Sequence, residues 1–441
     1  MTKKEKPLLV KKESAERESH EKLIAKIPPT SLISEIFRVN FHPLRFAYGA
    51  KENYKQLVIV DGKKGKPYAE IRKGTLVFSP DGQRLAYVAE ANGTTFVVAD
   101  EEEKKYAEIP RYIPMRDIPY SDKLILSQLA LHSVEIYEGP LKFSPDSNRL
   151  AYVENRRGYD FVVVDGKMGK EYEVIFRTTL IFSPDSKRFA YVARRGEKHF
   201  VVLDGNEGKV YDSIEGLTFS PDSKRLAYKA RIKKSAKWSV VVDEEEGEKY
   251  IGIGRPIFSP DSKTVVYAAR VRRLLKSKYI VVVNDKKVEE YDGVGAGTIT
   301  FSPNSERLAY AAKFGKKWFI VEGGNKGEGY DLVYSLLFSP DGVRLAYIAI
   351  SKNKQFVVVD GNKGKGYGRI GADTLAFSPD SKHLAYLAFY RHFNFVVADA
   401  IEGKYTNVIS RKDGGGIVFD SPNSFYYFIL KHDLFLVEER I

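Results

Sequence analysis

One decapeptide recurs through the chain and limits its possible folds more than any other feature. FSPDSKRLAY begins at Phe219 and returns as FSPDSKRFAY at 182, FSPDSKHLAY at 377, FSPDSNRLAY at 143 and FSPDGQRLAY at 78. FSPDGVRLAY at 338, FSPNSERLAY at 301 and FSPDSKTVVY at 258 extend the series, with worn copies at Phe41 (FHPLRFAY) and Phe419 (FDSPNSFYYF). Eight of the nine intervals between the leading Phe residues are 37 to 43 residues, and the exception, 78 to 143, is 65. Self-similarity at such a period marks an array of small units, each stable only against its neighbours.

The strand chemistry says which array. In 215–250, Gly-Leu-Thr-Phe is a short β-rich run stopped by Ser-Pro-Asp-Ser, which is turn chemistry. Arg-Leu-Ala-Tyr-Lys-Ala, Trp-Ser-Val-Val-Val-Asp and Lys-Tyr-Ile-Gly-Ile supply three further strands. Four short strands per unit of about 40 residues predict an all-β chain, a β-propeller of about ten four-stranded blades. The last unit runs one strand short, and Leu32–Phe37 is the expected strand that completes it and closes a single ring. Removal of residues 1–28 is then expected to be tolerated, and removal through 38 to expose an edge. The alternative, two smaller propellers, would need two such seams, and one is visible. The domain reading is a basic arm or polar helix over 1–30 and a propeller over 31–441. An insertion at about 110–139 is either a packing elaboration or a lid.

Repeated FSPD-(S/G)-x-R-(L/F)-A-Y resembles the PD40, or WD40-like, repeat of TolB-type propellers, over nearly everything from about residue 31 onward. The resemblance implies the fold. It implies less about function, because the family spans binding scaffolds, periplasmic partners and the non-catalytic propellers of peptidases.

Hydrophobic residues make up 43% of the 441 and aromatics 13%, enough to build a substantial core. With no cysteine, neither disulfides nor thiolate metal sites are available. The longest apolar run in the basic N-terminus, Pro-Leu-Leu-Val, is too short for a secretory signal, and no stretch approaches a membrane span. A soluble, cytoplasmic monomer is the expectation. The net charge of +13 suits an acidic partner, or serves solubility alone.

Positions repeated in every unit are expected to build the blade: Phe and Leu-Ala-Tyr packing between sheets, and the preceding Arg or Lys capping the surface. The recurring Asp-Gly-x-x-Gly-x-x-Tyr (Asp204–Tyr211, Asp360–Tyr367) resembles a calcium loop, but copies with Glu-Glu-Glu or Lys-Lys in place of glycine favour a plain hairpin turn. Function is therefore sought where the copies differ, in the loops between second and third strands. These carry Arg194 and Arg195, then Arg231, Lys233, Lys234 and Lys237, then Arg270, Arg272, Arg273, Lys276 and Lys278, and finally Lys313, Lys316 and Lys317. The loops from 230 to 318 contain no acid, whereas the opposite hairpins are mixed to acidic. This basic face is expected to bind an acidic protein partner; the same face could take nucleic acid. Trp238, Tyr279 and Trp318 close the loops and are expected to cover the core edge. No Gly-x-Ser-x-Gly elbow, P-loop or Rossmann fingerprint is present, and the seven histidines have no metal spacing. The expectation is a non-enzymatic scaffold without cofactor or metal, a channel-centred enzyme being the alternative.

Overall fold

The fifth repeat shows how the phrase becomes a blade. Ser213–Phe219 pairs antiparallel with Leu226–Ile232, which pairs with Lys237–Val242, which pairs with Glu245–Tyr250. The computed structural model describes residues 19–25, 32–41, 44–106, 141–232, 236–273, 276–390, 393–404, 416–430 and 434–441. Within them are ten such up-and-down sheets and no helix, and the sheets form a ring of ten blades. The inserted segment at 110–139 lies outside the described residues.

The ring is closed by the N-terminus, but not by the strand expected. Leu32–Phe41 is the innermost strand of blade 1, paired with Leu44–Glu52. Two residues separate these strands, and a connection that short forces them into one sheet. The strand that completes blade 10 is Ser19–Ala25, the outermost of its sheet, antiparallel to Leu434–Arg440. Its sequence, SHEKLIA, lacks apolar alternation because His20, Glu21, Lys22 and Leu23 are all exposed. Part of the expected arm or helix over residues 1–30 is therefore propeller, and the tolerated truncation must stop before Ser19.

The core lies between blades rather than at a centre. Ala190, Val192 and Val201 of blade 4 meet Leu217, Phe219, Leu226 and Tyr228 of blade 5 in one buried cluster, and the same layer recurs around the ring. Burial of each such Phe or Leu side chain contributes about 1.5–3 kcal/mol.

The repeated arginine does not cap the surface, as the sequence suggested; it reaches the next blade. Arg188 Nε donates to Asp204 Oδ2 (3.0 Å) in its own sheet, while Nη1 donates to the Lys224 carbonyl of blade 5 and the guanidinium lies over Phe219. Arg45, Arg84, Arg149, Arg225, Arg307 and Arg344 do the same, each 4.9–5.8 Å from the leading Phe of the following blade. The other oxygen of Asp204 accepts the Phe189 N–H (2.9 Å), and the turn itself has Asp204 at φ 52 and Gly205 at φ 83. That is the hairpin reading of Asp-Gly, with the carboxylate consumed by the blade. Outer-strand tyrosines form a second inter-blade contact: Tyr68, Tyr172, Tyr211, Tyr250, Tyr291, Tyr330 and Tyr367 each meet the Leu-Ala-Tyr tyrosine of the next blade edge to face at 5.8–6.3 Å.

A third contact has a pH signature. Ser183 Oγ donates to Asp185 Oδ1 (2.5 Å), and the Asp185 N–H donates to Ser223 Oγ of the next blade (2.9 Å). The Ser hydroxyl, then the backbone N–H two residues on, hold Asp81, Asp185, Asp222, Asp261 and Asp341 below the usual carboxylate range, and the Ser378 hydroxyl brings Asp380 down to about 2. A carboxyl depressed on folding stabilises the ring above its ordinary pKa near 3.8 and loses that contribution as pH falls toward 2. Melting temperature should therefore hold down to about pH 4 and fall between pH 4 and pH 2. Scanning calorimetry across that window checks this, and replacing three of these aspartates with Asn should flatten the fall.

Candidate functional site at the loop end of blades 4–7

In an up-and-down blade, the hairpin between second and third strands shares an end of the ring with the blade-to-blade connection. The connection brings acids that the hairpin sequences lack. Asp212, Asp292 and Asp331 each follow the last Tyr of an outer strand, and each donates its N–H to a carbonyl of the next blade (Arg231, Lys313 and Ile350, 2.8–2.9 Å). Their carboxylates accept from lysines at the start of third strands: Lys198 to Asp212 (2.9 Å), Lys278 to Asp292 (2.6 Å) and Lys317 to Asp331 (2.6 Å). Asp292 also accepts the Gly315 N–H (2.7 Å) and Asp331 the Lys352 N–H (3.0 Å) of the following hairpin. The lysine first, then this N–H, holds each of these two carboxyls below the usual range. These Asp–Lys pairs are inter-blade ties, and the lysines in them are partly spoken for.

The predicted cations consequently divide. Arg195 pairs with Glu207 (3.1 Å) and lies over Tyr172 and Phe200; Arg273 pairs with Glu290; Lys278 and Lys317 pair as above. Arg194 and Arg270 are half-buried with Nε enclosed and without a partner, and Lys313 is half-buried against Trp318 (5.9 Å). Arg231, Arg272, Lys276 and Lys316 are exposed with no acid in ion-pair range among the described residues. Lys237 is exposed at the start of its strand, and Lys233 and Lys234 lie outside the described residues. An open cleft of about 370 Å³ between blades 4 and 5 is lined by Glu197, Asp212, Arg231 and Ala236. Beside it, His199 Nδ1 faces the Asp212 carbonyl at 2.7 Å, and burial pushes the imidazole below its ordinary range.

Trp238 and Trp318 pack on the inter-blade cores of blades 5–6 and 7–8, and so cover the core edge. Each also stands directly opposite a cation across the strand pair: Arg231 opposite Trp238 and Lys313 opposite Trp318. Arg231 lies 5.5 Å from the Trp238 ring, and the buried Lys229 lies 5.3 Å from it. The acids at 212, 292 and 331 were readable in the sequence as a recurring Tyr-Asp. Their role was missed because they belong to the outer strand in sequence and to the loop end in space. Among the described residues, no group of three or more His, Asp or Glu is arranged to hold a metal, and no helix is long and apolar enough to cross a membrane.

The sequence matches no family model and no curated protein. Its fold is similar to solved propeller structures. A eukaryotic initiation factor superposes with a TM-score of 0.46 at 13% identity, over 82% of this chain and 95% of that one. TolB from Acinetobacter baumannii gives 0.28 at 16% identity, over 66% and 77%, and an oligogalacturonate lyase in complex with manganese gives 0.36 at 11%, over 68% and 87%. At such identities the likeness extends to the propeller fold alone.

Proposed function

We propose that the protein is a non-enzymatic scaffold that takes an acidic protein segment on the loop end of blades 5–7. The carrying observation is that Arg231, Arg272, Lys276 and Lys316 are exposed there without a counter-ion among the described residues, while their neighbours are neutralised by Asp212, Asp292, Asp331 and Glu290. The ties fix the hairpins in place, and the unpaired cations supply the attraction. The repeat's resemblance to TolB-type propellers agrees with a scaffold role by analogy only.

Exposed charge contacts are each worth about 0.5 kcal/mol, so four together give about 2 kcal/mol, roughly a thirtyfold change in affinity. Reversing Arg231, Arg272, Lys276 and Lys316 to Glu should weaken binding of a fluorescent poly-glutamate peptide by that factor. Binding by the wild type should fall steeply with salt, because contacts beyond about 8 Å are screened at physiological ionic strength. Reversing Lys167, Lys187, Lys224 and Lys286 on the opposite end should change it less than threefold. Equal losses from both sets would remove the face assignment.

Nucleic acid is a second reading, favoured by the cation–tryptophan pairs, since a base can stack where a phosphate is also neutralised. A single-stranded oligonucleotide that binds through the same four residues, with poly-glutamate failing to bind, would decide for it.

A further inference from the structure

The seam between blades 10 and 1 combines three features. First, the clamp arginine is missing, as it also is in blades 6 and 9, which carry Thr264 and His383 there. Phe419 pairs with Phe425 as Phe219 pairs with Leu226, so Ser424 stands where Arg225 stands in blade 5. Ser424 Oγ is buried with no hydrogen-bond partner, beside a cavity of about 500 Å³ lined by Asp420, Asn423, Glu438 and Ile441 among others. Second, the closing strand carries no tyrosine, so the edge-to-face contact made by seven other outer strands is not available to it. Third, every other outer strand with described bounds follows its third strand in sequence, whereas Ser19–Ala25 arrives from the far end of the chain. It can leave without opening a hairpin. It is bound by a backbone ladder to Leu434–Arg440, with His20, Lys22 and Leu23 exposed.

We propose that this edge of blade 10 accepts the strand Ser19–Ala25 of a second copy of the chain, giving a reciprocally exchanged dimer. The occupant follows from the register. The segment that fits Leu434–Arg440, with His20 opposite Glu438 and Lys22 opposite Leu436, is the chain's own. A second copy offers the same ladder, so exchange loses no backbone hydrogen bond and closes as a two-fold pair with no free edge. Only six residues, 26–31, join this strand to blade 1, and they include Pro28 and Pro29. Short connections favour exchange over refolding onto the same sheet.

The chain has no cysteine, which makes a clean test possible. Directly opposed residues of an antiparallel pair have Cα atoms about 4.5–5.5 Å apart, within disulfide reach. The full-length double variant H20C/E438C should form this disulfide, within the chain when oxidised at low concentration and increasingly between two chains as concentration rises, which establishes folding and pairing. Equal amounts of H20C and E438C single variants, co-incubated and then oxidised, should give a disulfide-linked dimer of one chain of each. Its yield should rise with concentration and exceed at least fivefold that from H20C mixed with K224C, whose thiol lies on another blade. A mixture that gives no more dimer than the control, while the double variant cross-links within the chain, overturns exchange. A double variant that fails to cross-link overturns the pairing on which exchange depends.

Discussion

Replacing Lys229 with Met is expected to destabilise the ring by about 3–5 kcal/mol, because it breaks a fully enclosed ion pair and leaves the other charge behind. Lys229 occupies the position held by Val192, Ala268, Ala311, Ile348 and Leu387 in the corresponding strands. It is only 5% exposed, as is Glu215 on the neighbouring inner strand. Its Nζ lies 2.7 Å from Glu215 Oε2, donates to the Ile253 carbonyl of blade 6 at 3.4 Å, and faces the Trp238 ring. Two charges taken from water and paired with each other contribute little net stability, whereas a buried charge that loses its ion-pair partner carries a large penalty. The double variant K229M/E215L should therefore recover most of the loss, since the neighbouring blades already place apolar side chains at this site. Chemical denaturation of the two variants separates the cases. A K229M protein within 1 kcal/mol of wild type would show that the pair is not desolvated as its burial implies.

This pair also shows where sequence reasoning reaches its limit. The apolar and turn residues of Phe-Ser-Pro-Asp and Leu-Ala-Tyr specify strands and turns locally, so four strands per repeat and ten repeats in one ring were legible. The arginine of the same phrase was misread because its acceptors are backbone carbonyls and a ring in the next blade, such as Lys224 and Phe219 for Arg188, and backbone acceptors leave no mark on composition. SHEKLIA was unreadable as a strand for a different reason. An outer strand with exposed side chains needs no period-two apolar pattern, because its backbone ladder does not depend on one. At the loop end, the cations were visible residue by residue. Their neutralisation by Asp212, Asp292 and Asp331 required knowing that the outer strand ends where the hairpin begins.

Removing residues 1–28 is expected to make the ring aggregate. The truncation strips Ser19–Ala25 from Leu434–Arg440, exposing a row of unpaired N–H and C=O groups along a strand that begins Leu-Phe-Leu-Val. Exposed edges of this kind pair with other chains unless charge, proline or a cover prevents it, and here the charged residues sit only at the far end, Glu438 to Arg440. The truncation also cuts a tether. Six residues between Ala25 and Leu32 can span at most about 25 Å, so the closing strand holds blade 10 beside blade 1 in a junction that lacks the arginine clamp and the tyrosine contact. Stopping the truncation at Glu18 keeps both the ladder and the tether, and that shorter variant should stay monodisperse with its melting temperature unchanged within a few degrees. Light scattering coupled to size exclusion distinguishes the two. A synthetic peptide covering Ser19–Ala25 should slow association of the longer truncation, since it restores the missing ladder without the tether. If the variant lacking residues 1–28 remains monodisperse and melts as wild type does, the ring is held shut by contacts other than this strand.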